Sequence, residues 1–600
     1  MYEMADCDVF WRSPLIILSN TFHHYPMNSS ISSIFADFFK DEILRGKAEK
    51  LMDKLQEGSI CLPLTVQEYQ KLLDSPFVGV GNVKKPFIVE KGNLYLQRYY
   101  EYETQIIGRI KALVEQKNEA FANALLQKMD LVKQLFVSDA SEVDWQLVAA
   151  VSAVINNFSI ISGGPGTGKT TTVSKIIVLL NSINPELKVA LAAPTGKAAM
   201  RMKESIANSV ANMAIDLSLK EKLSAIVPLT IHRLLGYVKD SPYFRHNATN
   251  PLDYDLLIID EASMIDVPQM AKLLDATRDS SKLILLGDKN QLASVEAGSV
   301  FSDLCETVQI ANTFSSDFIH FFNKIVSVFN TQLNQTQQTN EKHFLNTSIV
   351  ELQRSRRFDA TKGIGLFSKY VIEGNSEQLQ HWQGGKVAEQ EGVDICNGLP
   401  QVKDEIKEYR HYILEPDIKK ALSLTQKLRL LCATKEGEFG LYQCNKYAEM
   451  VLKEAGVLQP KPGFYENQLI MVSANDYTLN LFNGDVGIVR RDANTQTLYA
   501  YFEDANAENG LKFVPTIYLK NFETAFAMTI HKSQGSEFDT VIVVLPQREN
   551  LVLTRELLYT AVTRAKKKVK LIANKTVLNH TVKGQVQRSS GITKRIVEWL

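Results

Sequence analysis

Short apolar runs alternate with longer helical patterns over most of the chain. Apolar runs of this length, each bounded by polar or glycine-containing segments, are typical of buried strands joined by crossover helices. The pattern therefore predicts an α/β protein built on parallel sheets. The predicted strands are FSIIS (158–162), VALAA (189–193), LLIID (256–260), LILLG (283–287), LRLLCA (428–433), VIVVL (541–545) and VKLIA (569–573).

The pattern divides the chain into three predicted domains. Residues 1–125 have helical patterning and no recognisable chemistry, residues 126–350 form a first α/β lobe, and residues 351–600 form a second. Within the second lobe, alternating apolar positions with Asn-Gly-Asp and Asp-Ala-Asn turns predict a small β-barrel-like insertion at about 465–520. A polar tract at 330–343 is predicted to be a surface loop.

Composition limits the classes of function. Lys+Arg and Asp+Glu number 67 each, so the formal net charge is zero. This balance argues against a surface covered in positive charge but allows a local basic channel for nucleic acid. The six cysteines form no C-x-x-C pair, which predicts reduced core thiols. Without a signal-peptide pattern or a bilayer-length apolar run, we expect a cytoplasmic protein with no membrane partner.

The segment ISGGPGTGKTTT (161–172) satisfies the phosphate-loop pattern G-x-x-x-x-G-K-[ST]. Its backbone N–H groups can surround phosphates, Lys169 can reach the β- and γ-phosphates, and the Thr170 hydroxyl can help to hold Mg²⁺. A predicted strand precedes it and a predicted helix follows, so ATP with Mg²⁺ is the expected ligand. The predicted ATP-binding residues here are Gly163, Gly164, Pro165, Gly166, Thr167, Gly168, Lys169, Thr170 and Thr171.

Polar side chains follow the next two predicted strands. Asp260 is expected to hold Mg²⁺, largely through water, and Glu261 to orient and deprotonate the attacking water. Asp288 and Gln291 follow the strand after that, where a glutamine can sense the γ-phosphate. These residues predict nucleotide hydrolysis, which kinases, transporters, GTPases and motors share.

Two arginine segments in the second lobe indicate a cleft between the lobes. Because negative charge builds up on the γ-phosphate during transfer, an arginine from outside the phosphate loop favours hydrolysis. Arg564 is one candidate, and we interpret the three lysines that follow it as a solvated charge run. The other candidates are Arg354, Arg356 and Arg357, of which we favour Arg357. ATP between two lobes is the arrangement of a motor.

The motifs and their order along the chain resemble superfamily-one helicases, and within them the RecD family. The resemblance is carried by the phosphate loop, APTGKAA (193–199), TIHRLLG (230–236), DEAS (260–263), GDKNQL (287–292), the arginine motif, NDYTLNLFNGDVG (475–487), HKSQGSEF (531–538) and VTRA (562–565). It implies two RecA-like P-loop lobes, an SH3-like insertion and a mainly helical, partner-docking N-terminal domain. It also implies an ATP-dependent 5′→3′ DNA helicase that acts on DNA ends in recombination repair, in a heterotrimer with RecB-like and RecC-like subunits. The nuclease site would belong to a partner.

The resemblance also implies roles for individual residues. Gln146 would contact adenine, Glu537 would lie near the nucleotide sugar, and a hairpin at about 236–254 would split the duplex. The family usually has an aromatic residue where this chain has Arg356, which leaves open which arginine faces the phosphate. His531 fits a buried structural histidine equally well. The residues implied to contact single-stranded DNA are Pro194, Thr195, Lys197, Thr230, His232, Asn475, Thr529, His531 and Lys532.

Three other functions fit the sequence less well. A stand-alone RecD-like helicase would usually have a longer N-terminal region with helix-hairpin-helix motifs, which we do not find in residues 1–125. A relaxase with this motor would need a His-x-His metal motif that the sequence lacks. A non-catalytic scaffold disagrees with the intact Lys169, Glu261, Gln291 and Arg564.

Overall fold

The structure is a computed structural model and describes part of the chain. It describes residues 30–597, except 117, 137–142, 240, 309, 327–331, 335–336, 340–344, 383–391, 477, 505–506 and 508. Two compact units are present, and one comprises the chain up to Thr104 with Glu296–Gly298 and Arg588–Gly591. The second unit contains the remaining residues. Most of the polar tract at 330–343 lies outside the described residues.

The first unit combines helices with a small sheet. A short helix over Ile31–Ala36 is followed by a second over Glu42–Gln56, which begins where the Asp41 carboxylate accepts the N–H groups of Ile43 and Leu44. The sheet, of strand order β1-β4-β3-β2, was not predicted, since strands of three or four residues are too short to show alternation. The elements are α1 Ile31–Ala36, α2 Glu42–Gln56, β1 Cys61–Pro63, α3 Val66–Leu73, β2 Val78–Val80, β3 Phe87–Glu90, β4 Asn93–Leu96 and α4 Gln97–Glu115, which continues into the second unit.

A six-stranded parallel sheet forms the first lobe of the second unit, with strand order β10-β5-β9-β8-β6-β7. Four of its strands confirm the predicted apolar runs, whereas β7 and β10 were not predicted. The strands are β5 Phe158–Gly163, β6 Val189–Ala193, β7 Leu229–Thr230, β8 Leu256–Ile259, β9 Lys282–Gly287 and β10 Ile349–Leu352. The helices are α5 Glu119–Leu126, α6 Met129–Leu135, α7 Trp145–Ile155, α8 Lys169–Ile183, α9 Gly196–Ala211, α10 Leu217–Ser224, α11 Ile231–Leu235, α12 Val267–Ala276, α13 Val300–Glu306 and α14 Ser316–Ile325.

A second parallel sheet, of order β11-β20-β19-β12-β18, forms the other lobe. Three of its strands confirm the predicted runs. The strands are β11 Val393–Cys396, β12 Leu428–Cys432, β18 Ala527–Thr529, β19 Phe538–Val544 and β20 Ala565–Ile572. The helices are α15 Gly363–Ile372, α16 Ser376–Leu379, α17 Lys403–Lys407, α18 Arg410–Leu414, α19 Ile418–Leu424, α20 Leu441–Glu454, α21 Arg555–Val562, α22 Lys575–Lys583 and α23 Ile592–Val597.

The predicted β insertion is confirmed as a five-stranded antiparallel sheet of order β16-β15-β14-β13-β17. Its apolar interior contains Ile470, Val489, Ala500, Phe502 and Val514. The strands are β13 Leu469–Val472, β14 Val486–Arg491, β15 Leu498–Glu503, β16 Leu511–Pro515 and β17 Phe522–Thr524. The architecture is therefore α/β, with two parallel-sheet lobes, this insertion and a mainly helical N-terminal region.

Two negative features concern the described residues alone. Their five cysteines are buried and form no disulfide, as predicted. None of their helices has both the length and the apolar character needed to cross a bilayer.

Candidate functional site: a nucleotide cleft between two lobes

The phosphate loop joins β5 to α8, as predicted. Gly166 and Gly168 have φ angles of 78° and 88°, in the left-handed region that glycine adopts without strain. The ammonium group of Lys169 donates to the carbonyl oxygens of Gly163 and Gly164. The first N–H groups of α8 face this loop, and such groups favour anions because they lack partners within the helix. The loop geometry suits phosphate.

Gln146 lies beside the phosphate loop. It is the second residue of α7, whose cap Asp144 accepts the N–H of Gln146. The Gln146 amide Nε2 donates to the Thr167 carbonyl oxygen at 3.1 Å. A Cβ at Gly168 would lie 2.3 Å from this nitrogen, so the glycine is required for the approach. The structure thus brings together two segments that the sequence analysis assigned to one ligand.

Asp260 and Glu261 follow β8. The Asp260 carboxylate accepts the N–H of Glu261 at 2.8 Å, and Glu261 has a left-handed φ of 51°. Burial, and then the neighbouring Glu261, raise the pKa of Asp260 to about 6, while Lys169 opposes the shift. A buried carboxylate with a raised pKa favours binding a cation. Among the described residues, no three His, Cys, Asp or Glu side chains form a metal cluster. Magnesium commonly uses one or two carboxylate or hydroxyl ligands with water and phosphate, so Asp260 and Thr170 are a suitable pair.

Gln291 and Arg564 join the two lobes. Arg564 follows α21 and directs its guanidinium Nη2 to the Gln291 Oε1, at 2.6 Å. Gln291 in turn donates to the Asp288 carboxylate at 3.1 Å. Burial lowers the pKa of Arg564 from its ordinary value, and the neighbouring Glu261 opposes that shift. The predicted γ-phosphate glutamine and the predicted arginine are therefore in direct contact.

The arginine motif lies against the phosphate loop through its backbone. The Arg356 N–H donates to the Gly166 carbonyl oxygen at 2.8 Å, and the Ser355 hydroxyl donates to the carbonyl oxygen of Pro165. The Arg354 and Arg356 side chains are exposed. Arg357 is half-buried, and its Nη1 is buried with no hydrogen-bond partner among the described atoms.

Glu537 lies at the centre of a cluster of cations that the sequence did not reveal. Its carboxylate accepts Arg357 at 2.6 Å and Arg201 at 2.7 Å. Burial alone would raise the pKa of Glu537, but Arg201 and Arg357 outweigh it and lower the pKa. Arg201 lies on α9, one turn after Lys197, and also donates to the Gly535 carbonyl oxygen. Arg201 follows Lys197 by four residues, which places both cations on one face of α9, and this spacing is the sequence signal that could have revealed Arg201.

The lysines that follow Arg564 are largely exposed, and each of them has a carboxylate nearby. Lys566, Lys567 and Lys568 each lie near a carboxylate, which for Lys567 is Asp539 at 2.8 Å. Exposed pairs of this kind contribute little to stability. The interpretation of these lysines as a surface charge run agrees with their exposure.

The predicted DNA contacts occupy several loop and helix ends. Thr195 and Thr230 cap α9 and α11 with their hydroxyls. The neighbouring Arg233 reaches from α11 to the insertion, where it contacts Asn480 and the ring of Phe482. Arg233 and Phe482 were not predicted. The remaining candidates are distributed as follows: Pro194 precedes Thr195, Lys197 and His232 lie on α9 and α11, Asn475 accepts the N–H of Asn483, Thr529 is buried at the end of β18, His531 begins a short 3₁₀ helix, and Lys532 pairs with Glu523.

The segment at 236–254 contains antiparallel contacts, between Tyr237 and Phe244 and between Asn247 and Asn250. Tyr243, within this segment, is 77% exposed. Phe244 packs edge-on against His232, which ties the hairpin to α11. These bridges fall within the segment predicted to form a hairpin, and the hairpin itself stays a prediction.

Comparison with known proteins identifies both lobes. The AAA domain family matches residues 146–297, and the UvrD-like helicase C-terminal domain family matches residues 524–572. The RecBCD enzyme subunit RecD of Haemophilus influenzae is 33% identical to this chain, over 85% of the chain and 81% of the relative. The ATP-dependent RecD2 DNA helicase of Deinococcus radiodurans is 27% identical, over 68% of the chain and 46% of the relative. A solved Pif1 helicase structure with forked DNA has a TM-score of 0.35 and 17% identity, covering 76% of this chain and 93% of that one. The 33% identity to the Haemophilus RecD subunit, over 85% of this chain and 81% of the relative, shows that the chain belongs to the RecD family of ATP-dependent DNA helicases.

Proposed function

We propose that the chain is the 5′→3′ motor of a RecBCD-type exonuclease V complex in the cytoplasm. It would bind single-stranded DNA at duplex ends and unwind the duplex for degradation and for recombination repair of double-strand breaks. RecB-like and RecC-like partners would complete a heterotrimer and supply the nuclease. The observation that carries this proposal is the contact between Gln291 and Arg564, which links the two lobes beside the phosphate loop.

Each residue of the cleft has a proposed role in hydrolysis. Lys169 binds the β- and γ-phosphates, and Glu261 orients and deprotonates the attacking water. Thr170 and Asp260 would hold Mg²⁺, which neutralises charge on the phosphates. Gln291 senses the γ-phosphate, and Arg564 and Arg357 stabilise the charge that develops on it. The backbone of 163–171 surrounds the phosphates, Gln146 contacts adenine, and Glu537 lies near the sugar.

Among the three arginines of its segment, Arg357 is the one that we favour for contacting the γ-phosphate. Its guanidinium reaches the buried Glu537, whereas the other two side chains are exposed. The unpartnered Nη1 provides a donor for a phosphate oxygen.

Movement of the lobes would convert hydrolysis into translocation. Opening and closing of the cleft would change the grip on single-stranded DNA of the loops that contain Thr195, Thr230, Asn475 and His531. Pro194, Lys197, His232, Thr529 and Lys532 complete the proposed channel. Lysines and hydroxyls that meet phosphates give a sequence-independent, salt-sensitive grip. The hairpin at 236–254 would split the duplex, and residues 1–125 would dock the partners.

A stand-alone RecD-like helicase is the second candidate. The chain is 33% identical to the Haemophilus RecD subunit and 27% identical to the Deinococcus RecD2 helicase. The higher identity favours the subunit.

Unwinding of tailed duplexes tests the proposal. The purified chain is given 5′-tailed or 3′-tailed duplex with ATP, beside a Lys169→Gln variant that should neither hydrolyse ATP nor unwind. Opening of the 5′-tailed duplex alone supports the polarity, and preference for the 3′ tail overturns it. If neither opens, RecB-like and RecC-like subunits are added. Unwinding that then survives Lys169→Gln unchanged, with a partner motor inactivated, refutes the assignment of this phosphate loop.

A further inference from the structure

Tyr559 of α21 reaches from the second lobe to the phosphate loop of the first. Its hydroxyl donates to the Asp288 carboxylate Oδ2 at 2.9 Å. A Cβ at Gly164 would lie 3.0 Å from the same hydroxyl, so the ring tip lies directly beside the phosphate loop. Tyr559 is 5% exposed and Asp288 is 1% exposed. Neither the sequence motifs nor the proposed hydrolytic roles use this tyrosine.

Asp288 connects Tyr559 to the γ-phosphate glutamine. The same Oδ2 that accepts the tyrosine hydroxyl also accepts Gln291 Nε2, at 3.1 Å. The other oxygen, Oδ1, accepts the N–H of Asn290 at 3.0 Å. All three bonds fix the carboxylate, and the carboxylate fixes which way the Gln291 amide points. With Nε2 held by Asp288, Oε1 faces Arg564.

Thr560, the next residue of α21, binds the backbone of the same loop. The Thr560 hydroxyl accepts the Leu292 N–H at 2.9 Å. The Leu292 carbonyl oxygen accepts Gln534 of the second lobe at 3.0 Å. The loop after β9 is thus bound to the second lobe at Asp288, Gln291 and Leu292. Among the second-lobe residues that bind it, Tyr559 also lies beside Gly164 of the phosphate loop.

We propose that Tyr559 is a positioning residue for ATP hydrolysis, which holds Asp288 beside Gly164 and thereby keeps Gln291 directed at the γ-phosphate when the lobes close. This inference rests on the proposed function. A hydroxyl is required, because a phenyl ring fills the same space but cannot donate to the carboxylate. Loss of the hydroxyl frees the Gln291 amide to rotate and separates hydrolysis from lobe closure.

The test compares Tyr559→Phe with Tyr409→Phe. Tyr409 is an equally buried tyrosine of the second lobe whose hydroxyl bonds the Leu428 and Phe526 carbonyl oxygens, so it controls for the loss of a buried hydroxyl. The kcat and KM for DNA-stimulated ATP hydrolysis are measured for both variants and the wild type. We expect Tyr559→Phe to lower kcat about tenfold or more, as loss of one hydrogen bond to a charged group would. KM for ATP should change less than twofold, and Tyr409→Phe should match the wild type in both constants.

The pH profile supplies a measurement that a merely structural role would not alter. Burial raises the pKa of Asp288, and Lys169, Gln291 and Tyr559 oppose that shift. Arg564 and Lys289 are the other cations near this carboxylate. Removing the Tyr559 hydroxyl should raise the pKa further, so the acid limb of kcat should move to higher pH in Tyr559→Phe alone.

Three outcomes are distinguishable. A wild type without ATPase activity overturns the proposed function itself. An active wild type in which Tyr559→Phe and Tyr409→Phe behave alike overturns the role of Tyr559. A double variant with Asp288→Asn should be no slower than the slower single variant, because both substitutions break one contact; additive losses would also overturn the inference.

Discussion

The Arg564 guanidinium and the Gln291 side-chain amide lie 2.6 Å apart, and both are almost fully buried, 3% and 4% exposed. They lie in loops of the two different parallel-sheet lobes, so no regular secondary structure holds them together. Any rotation of one lobe against the other must change this distance. A contact of this kind can connect a change at the γ-phosphate to a movement of the lobes.

Replacing Arg564 by lysine tests whether positive charge alone is sufficient or whether the shape of the guanidinium group is also required. Lysine keeps the positive charge but lacks the planar fork that contacts Gln291 and that, in the proposed role, would contact the phosphate at the same time. We expect kcat for ATP hydrolysis to fall about a thousandfold, the lower range for an arginine finger, with little change in KM. Arg555→Lys is the control, because Arg555 begins α21, the helix that precedes Arg564, and donates to the Ile372 carbonyl oxygen. Equal kcat values for the two variants would contradict the assigned role.

The residues of the cleft differ in how far the sequence could predict them. Lys169, Asp260, Gln291 and Arg564 each follow a local pattern, because the strand, turn or helix that positions each one is encoded within a few residues. Tyr559 has no such signal, since its partner Asp288 lies 271 residues away in the chain. Contacts across a cleft depend on how two sheets pack, which no local pattern contains.

The same reasoning explains the elements that were missed. Apolar runs such as 256–260 were confirmed because a strand buried on both faces has a continuous apolar sequence. The two residues of β7 and the short strands of the first unit are too brief for any periodicity.

Gly166→Ala should impair nucleotide binding more than stability. An added Cβ would meet the Arg357 Cβ at 2.4 Å, and the φ of 78° is unfavourable for alanine. We expect KM for ATP to rise at least about tenfold, because the loop and the arginine segment must separate by a large part of an ångström. Gly437→Ala is the control, since its φ is 94° and its Cβ would have no neighbour within 4 Å. Both variants should lose roughly 1–2 kcal/mol of stability from the backbone alone. The same KM in both would show that the contact with Arg357 is unimportant.

Single-stranded DNA binding should weaken as pH rises through about 8. Burial, followed by the charges of Arg429 and Arg201, lowers the pKa of Lys197 to about 8. The side chain is therefore protonated below that pH and loses its charge above it. We expect the dissociation constant to increase several-fold between pH 7 and pH 9, and the salt slope to fall by about one phosphate contact. Lys197→Arg stays charged across this range and should flatten the profile. If the pH profile of DNA binding is the same in Lys197→Arg as in the wild type, Lys197 does not contribute to the proposed DNA channel.

The buried amine of Lys282, which lies outside the nucleotide cleft, should make the free energy of unfolding depend on pH. The side chain is 3% exposed, and its amine donates to the carbonyl oxygens of Val154 and Asn156, each at 2.9 Å. Burial lowers the pKa of Lys282 to about 7. The unfolded chain, with an ordinary lysine pKa near 10.4, therefore binds the proton more tightly than the folded chain between these values. Stability should rise with pH across that window, by as much as roughly 4 kcal/mol between pH 7 and pH 10.

A methionine at this position tests the argument. Lys282→Met keeps the apolar length of the side chain but removes the titrating group, so the unfolding free energy should lose this rise with pH. The variant should also be less stable than the wild type at pH 9, by about 1–3 kcal/mol, because two buried carbonyl oxygens lose their donor. Urea unfolding at pH 7, 8 and 9 measures both effects, with the exposed Lys461→Met as the control. Other groups titrate in this range, but they contribute equally to each protein and cancel in the difference. Parallel curves for Lys282→Met and the wild type would mean that Lys282 is neutral in both states or charged in both.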